Sequence, residues 1–155
     1  MTRFHLRMAN DSDHDRIAEI WHSSGSLPDV GPVEMPSHDF LRARVDDELA
    51  TGCVVTVAEG EDGLIGFVAI KPEARYLAEL FVCPKHLQSG IGKALLDEAK
   101  RAMADGFTLF TTSRNARARR FYEREGLILD HEGPHPRWGH PVTHYRWTGS
   151  GKKLA

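Results

Sequence analysis

The residues with the clearest chemical use lie in one run, Val82-Cys83-Pro84-Lys85-His86-Leu87-Gln88-Ser89-Gly90-Ile91-Gly92-Lys93. An apolar strand stops at a proline, a short loop follows, and two glycines open an amphipathic helix. The first four N–H groups of a helix lack an internal partner, and the helix dipole adds partial positive charge there. Such an end suits a phosphate or diphosphate. Gly90 and Gly92 let the backbone approach the oxygens with no Cβ in the way, and Lys93 adds a formal charge. Two better-defined phosphate motifs do not fit. A P-loop needs glycine and a hydroxyl residue where Leu87 and Ala94 stand. The dinucleotide fingerprint needs a third glycine where Leu95 stands. ATP, GTP and NAD are therefore poorly supported. Taken alone, the loop is equally a tight turn before a helix.

Glu79 is a lone carboxylate in the apolar stretch Leu77-Ala78-Glu79-Leu80-Phe81. Facing a cleft, it would have its pKa raised by burial toward values useful in proton transfer. Facing solvent or a cation, it would be an ordinary strand residue. Arg114, Arg117, Arg119, Arg120 and Arg124 make one segment strongly basic, either for phosphate contacts or as a solvated helix face. His131, His135, His140 and His144 cluster near the C-terminus, but their spacing fits no zinc pattern and no metal is expected. The two cysteines, Cys53 and Cys83, sit in strand-like surroundings and read as reduced thiols.

Periodicity supplies the elements that must position these groups. Phe4, Leu6 and Met8 alternate as a strand. Asn10 to Asp13 offers helix N-caps, and Ile17, Ile20, Trp21 and Ser24 follow at helical spacing. Residues 25–36 hold three prolines and two glycines and form a loop. Ser37 caps a second helix with Phe40, Leu41, Val45 and Leu49 as its apolar face. Strands follow over 53–59 and 64–71, joined at Glu61-Asp62-Gly63, then over 77–83. Helix 91–103 ends near Gly106, strand 108–112 leads to helix 116–125, and strands 127–131 and 142–147 close the chain. The order β-α-α-β-β-β-α-β-α-β-β describes one α/β domain with helices on a mixed sheet.

The chain has 155 residues, 41% hydrophobic and 27% charged, enough for one core without disulfides or metals. Its net charge of -2 gives no electrostatic case for bulk nucleic-acid binding. The start lacks the apolar run of a signal peptide, and no stretch approaches a membrane span, so a cytoplasmic location is expected. Residues 1–148 are expected to form the domain, with a disordered tail over 149–155.

Leu77 to Pro84 followed by Gly90-Ile91-Gly92-Lys93-Ala94-Leu95-Leu96 resembles the acetyl-CoA motif of the GNAT superfamily of N-acetyltransferases. Asn115-Ala116-Arg117-Ala118-Arg119-Arg120-Phe121-Tyr122-Glu123-Arg124-Glu125-Gly126-Leu127 resembles that family's second block. The two occur in the family's order and at its separation. Leu87 departs from the Gln or Arg usual at the first loop position, and Gln88 lies one residue later.

The resemblance implies a central, largely antiparallel sheet of about seven strands with four helices, splayed where acetyl-CoA binds. It implies acetyl transfer to a primary amine by direct attack in a ternary complex. Leu80, Phe81, Val82, Leu87, Gln88, Ser89, Gly90, Ile91, Gly92, Lys93, Asn115 and Tyr122 would bind acetyl-CoA, and the Val82 N–H would face the oxyanion. Tyr122 would protonate the leaving thiolate, or else be a core aromatic. Glu79 is the candidate base, with a water chain as its rival. Asn115 either caps its helix or meets the coenzyme arm.

Trp21, His22, Met35, Phe40, Trp138 and His140 are candidate walls of an acceptor pocket for a small-molecule or peptide amine. A homodimer is left open. A covalent route through Cys83 lacks an evident histidine partner. An acyl-CoA sensor without turnover is the alternative from another class.

Overall fold

The computed structural model describes residues 3–149, apart from the side chains of Leu49 and Ala50. Met1, Thr2 and residues 150–155 of the expected tail lie outside the described residues, as does the Leu49 side chain predicted for a helix face. The elements run β1 (Phe4–Met8), α1 (His14–Gly25), α2 (His38–Ala50), β2 (Val54–Gly60), β3 (Gly63–Lys71), β4 (Tyr76–Val82), α3 (Ile91–Ala102), β5 (Phe107–Thr112), α4 (Ala116–Arg124), β6 (Ile128–Pro134) and β7 (Pro141–Trp147). This is the order predicted from periodicity.

The helix starts follow from their caps. Asn10 and Asp13 form a capping box over a 3₁₀ turn that leads into α1. The Ser37 hydroxyl accepts from the Phe40 N–H, and the Asn115 side chain accepts from the Ala118 N–H. Arg7 of β1 then ties strand to helix. Its guanidinium donates to both Asp13 oxygens, at 2.8 and 2.9 Å, and to Glu59 of β2 at 2.7 Å.

One seven-stranded sheet has the order β1-β2-β3-β4-β5-β7-β6. Every neighbouring pair is antiparallel except β4 and β5, which are parallel and meet only at Tyr76 and Thr108. Past that point the two strands diverge and the sheet is split. Buried side chains divide into two clusters. Ile17, Ile20, Leu41 and Val45 of α1 and α2 pack on one face against Val55, Val57 and Phe67. Ile91, Leu95, Leu96 and Ala99 of α3 pack on the other, with Leu109, Tyr122 and Tyr145.

The register of β3 with β4 slips between Ala69/Glu79 and Ile70/Leu77, which leaves Ala78 as a bulge. A bulge exchanges the faces of the residues beyond it. Leu77, Leu80 and Val82 accordingly belong to the α3 cluster and Phe81 to the α1–α2 cluster. Glu79 shares the parity of Phe81.

Two expectations change. Phe40 does not join the core of α2; it is exposed, with its ring centroid 6.0 Å from that of Trp138. Gly149, placed in the tail by sequence, is described with φ +98°, and a Cβ there would come 2.8 Å from the Ala104 carbonyl. No helix among the described residues is long and apolar enough to cross a membrane.

Candidate active site

A cleft of about 1130 Å³ opens where β4 and β5 part. It is above the usual ligand-pocket size and has room for two reactants. Residues of α3 and α4 line it from one face of the sheet. Residues of α1, α2 and the β6–β7 hairpin line it from the other.

At the α3 end, Gly90 is the N-cap with φ +86°, and no side chain caps the helix. A Cβ on Gly90 would meet nothing within 4 Å, so the space before the open amides is clear. Leu87, Gln88, Gly90, Gly92 and Lys93 all line the cleft. The side chains of three loop residues are engaged elsewhere. The Ile91 side chain is wholly buried in the core, so only its amide faces the loop. Ser89 does not line the cleft; its hydroxyl donates to the His86 carbonyl. The Lys93 ammonium is already paired with Asp97 at 3.3 Å and Glu125 at 3.1 Å, so the formal charge expected for phosphate is offset. Of the five arginines between 114 and 124, Arg117, Arg120 and Arg124 line the cleft. Arg119 points back to the sheet, donating to the Tyr145 hydroxyl and the Ser113 carbonyl.

Leu80, Phe81 and Val82 form the β4 wall. The Cys83 N–H donates to the Ile65 carbonyl at 2.8 Å, toward β3. Alternation along a strand then turns the N–H groups of Val82 and Leu80 to the other edge, into the split. The Val82 carbonyl accepts from the Ser24 hydroxyl at 2.7 Å, which fixes this end of the strand to α1.

Across the split stands Tyr122. It is 7% exposed, its ring packs beside Phe121 and Tyr145, and it lines the cleft. Burial and the nearby Glu79 push its phenol well up, so it stays protonated. Asn115 also lines the cleft, but its side-chain oxygen is committed to the α4 cap.

Glu79 faces the same cleft from β4. It is partly exposed, at the cleft wall. Burial, then the charge of Glu48, raises its carboxyl well above the usual range, while Arg44 and Lys71 pull it down.

On the α1–α2 side, Trp21, Met35, Trp138 and His140 line the cleft, while Phe40 and His22 do not. Trp21 stacks on Phe81 with centroids 6.1 Å apart. His140 Nε2 lies 3.2 Å from the Thr112 hydroxyl, which donates to the Val30 carbonyl.

Sequence reasoning missed His135, Tyr76, Phe110, Arg44 and Glu48, which also line this side. His135 Nδ1 accepts from the Arg137 and Trp138 amides, and burial holds the ring to about 4, uncharged at neutral pH. Its one sequence signal was membership of the histidine cluster. Among the described residues, no three His, Cys, Asp or Glu side chains gather as a metal site.

The split sheet carries an open helix N-terminus on one face, with a carboxylate and a phenol at the split, in a cleft of two-ligand size. The sequence matches the family described as Acetyltransferase (GNAT) domain over residues 51–126. It is 30% identical over 132 residues to peptidyl-lysine N-acetyltransferase YiaC of Escherichia coli K12, covering 80% of this chain and 83% of that protein. It is 28% identical over 137 residues to the uncharacterized N-acetyltransferase YhfO of Bacillus subtilis, covering 81% and 90%. A GCN5-related N-acetyltransferase structure from Rhodopseudomonas palustris superposes with a TM-score of 0.77 at 18% identity, covering 96% and 97% of the two chains. The structure of yncA from Salmonella typhimurium, which carries acetyl-CoA, gives 0.69 at 20% identity, covering 98% and 96%. This chain belongs to the GNAT acetyltransferase family, and with that its chemistry is acetyl-CoA-dependent acyl transfer.

Proposed function

We propose that the protein acetylates a primary amine of a peptide or small molecule by direct attack on acetyl-CoA in a ternary complex. The observation that carries this reading is that Tyr122 and Glu79 open into one cleft where β4 leaves β5. The uncapped start of α3 lines the same cleft. The amides of residues 87–93 hold the diphosphate, with Gly90 keeping its approach free of a Cβ. Gln88, Arg117, Arg120 and Arg124 border that end. The β4 edge at Leu80 and Val82 offers backbone groups to the pantetheine arm as an added strand would.

An alkylammonium must lose a proton before it can attack. Glu79, raised by burial, takes that proton directly or through water. The amine nitrogen bonds to the thioester carbon, and the Val82 N–H faces the oxygen as charge develops there. The C–S bond breaks as Tyr122 donates its proton to sulfur, and the extra proton left on nitrogen passes through water to the tyrosinate, which leaves a neutral amide and a thiol. Cys83 is buried, the partner of its sulfur is the Arg16 guanidinium at 3.8 Å, and no acyl-enzyme enters these steps. The YiaC relative favours a lysine side chain as acceptor. Its alkyl stem would pass Trp21, Met35 and Trp138.

A thiol-release assay tests this, with acetyl-CoA, lysine-containing peptides and a panel of small amines. Acceptor-dependent release of thiol is expected. Coenzyme binding with no release for any amine would overturn the reading.

A further inference from the structure

A second carboxylate stands beside Glu79 and has no part in the steps above. Glu48 and Arg44 lie one turn apart on α2 and form an ion pair. Both line the cleft together with Glu79. Glu48 and Glu79 also border one small void, closed by Trp21, Val45, Val55 and Phe67. Arg44 is held from a second side, with its guanidinium 5.2 Å from the Trp21 ring centroid. One cation thus has two carboxylates nearby, and helix spacing and stacking commit it to Glu48.

We propose that Glu48 is a positioning residue for acetyl transfer: by holding Arg44 it keeps that cation from pairing with Glu79, and leaves Glu79 free to take up and release a proton. The proposal rests on Glu79 being the base. An opposite charge within about 4–6 Å favours an ionised carboxylate by roughly 1–3 units, and a like charge does the reverse. Glu48 therefore acts twice, as a like charge beside Glu79 and as the anchor of a competing cation.

The other groups around Glu79 leave this balance to α2. Lys71, at the end of β3, favours the ionised form, as Arg44 does. Tyr76 on β4, Cys53 before β2 and Tyr122 on α4 are all pushed up, chiefly by burial, and are neutral at pH 7. His135 on the hairpin, on which Arg44 also acts, is neutral too. An ordinary helix ion pair, by contrast, would matter only to the stability of α2.

The test is a pH titration of full-length protein labelled with ¹³C at the glutamate side-chain carboxyls. The Glu79 resonance is assigned by its loss in Glu79→Gln. Relative to the parent, its midpoint should fall by about 1 unit in Glu48→Gln and rise by about 1 unit in Arg44→Gln. Should either variant fail to fold, Glu48→Asp or Arg44→Lys replaces it, with smaller shifts of the same sign expected. Midpoints that stay put, or move in the same direction in both variants, overturn the proposal. Thiol release in Glu79→Gln is measured separately with acetyl-CoA and a lysine-containing peptide. Unchanged turnover there removes Glu79 as base, whatever the midpoints do.

Discussion

Replacing Tyr122 by Phe separates chemistry from folding with a single oxygen. The ring is 7% exposed and packs beside Phe121 and Tyr145, with centroids at 5.2 and 6.0 Å. Phe keeps that packing. The forces acting on the hydroxyl are burial and the Glu79 charge, with no protein hydrogen bond among them. Removing it should therefore change stability by less than about 1 kcal/mol. Removing a general acid costs about 10²–10⁴ in rate, or roughly 3–5 kcal/mol of barrier. Tyr122→Phe should keep the parent melting temperature within a few degrees and bind CoA with unchanged affinity. Its kcat, read by thiol release, should fall at least about a hundredfold. Parent-like kcat would refute the acid role. A large drop in melting temperature would show that the hydroxyl is structural.

Three further outcomes follow from the same geometry. Gly90→Ala forces a Cβ onto φ +86°, which should cost about 1–2 kcal/mol and raise the KM for acetyl-CoA more than it lowers kcat. Asp13→Asn loses one charge of a bidentate pair and should cost about 2 kcal/mol in urea unfolding at pH 7. Arg7 holds the Asp13 carboxyl below its ordinary value, so this stability is present above about pH 4 and is lost as pH falls through the lowered value. Parent and Asp13→Asn should converge in strong acid. Glu79 is the opposite case: its raised carboxyl makes ionisation a cost that is absent below about pH 4 and grows as pH rises through the folded value. Glu79→Gln should melt higher than the parent at pH 8 and level with it at pH 4; equal melting at both would contradict burial of the charge.

Local signals carried much of the fold. Asn10, Ser37 and Asn115 cap where their side-chain chemistry predicts. The Gly90–Gly92 turn opens α3 as read from the glycines alone. The errors arise where tertiary context decides. Phe40 has helical spacing, but a ring from the distant hairpin, Trp138, gives it a partner outside the core. The Lys93 charge is spent on Glu125, 32 residues away. The bulge at Ala78 turns Glu79 to the α2 side, and no pattern in Leu77-Ala78-Glu79-Leu80-Phe81 marks it. Arg44 and Glu48 read as an ordinary i,i+4 pair, because nothing local tells that α2 borders the split. Arg117 and Arg119 are two positions apart on α4, so one lines the cleft and the other turns inward to Tyr145.

Amide hydrogen exchange on the full chain tests the central claim, that α3's open N-terminus grips the coenzyme's diphosphate. The amides of residues 87–93 should exchange fast in the free protein and slow sharply with saturating acetyl-CoA. S-acetyl-pantetheine, which lacks the diphosphate, should protect Leu80 and Val82 without slowing 87–93. Unchanged exchange at 87–93 with acetyl-CoA bound would contradict the account.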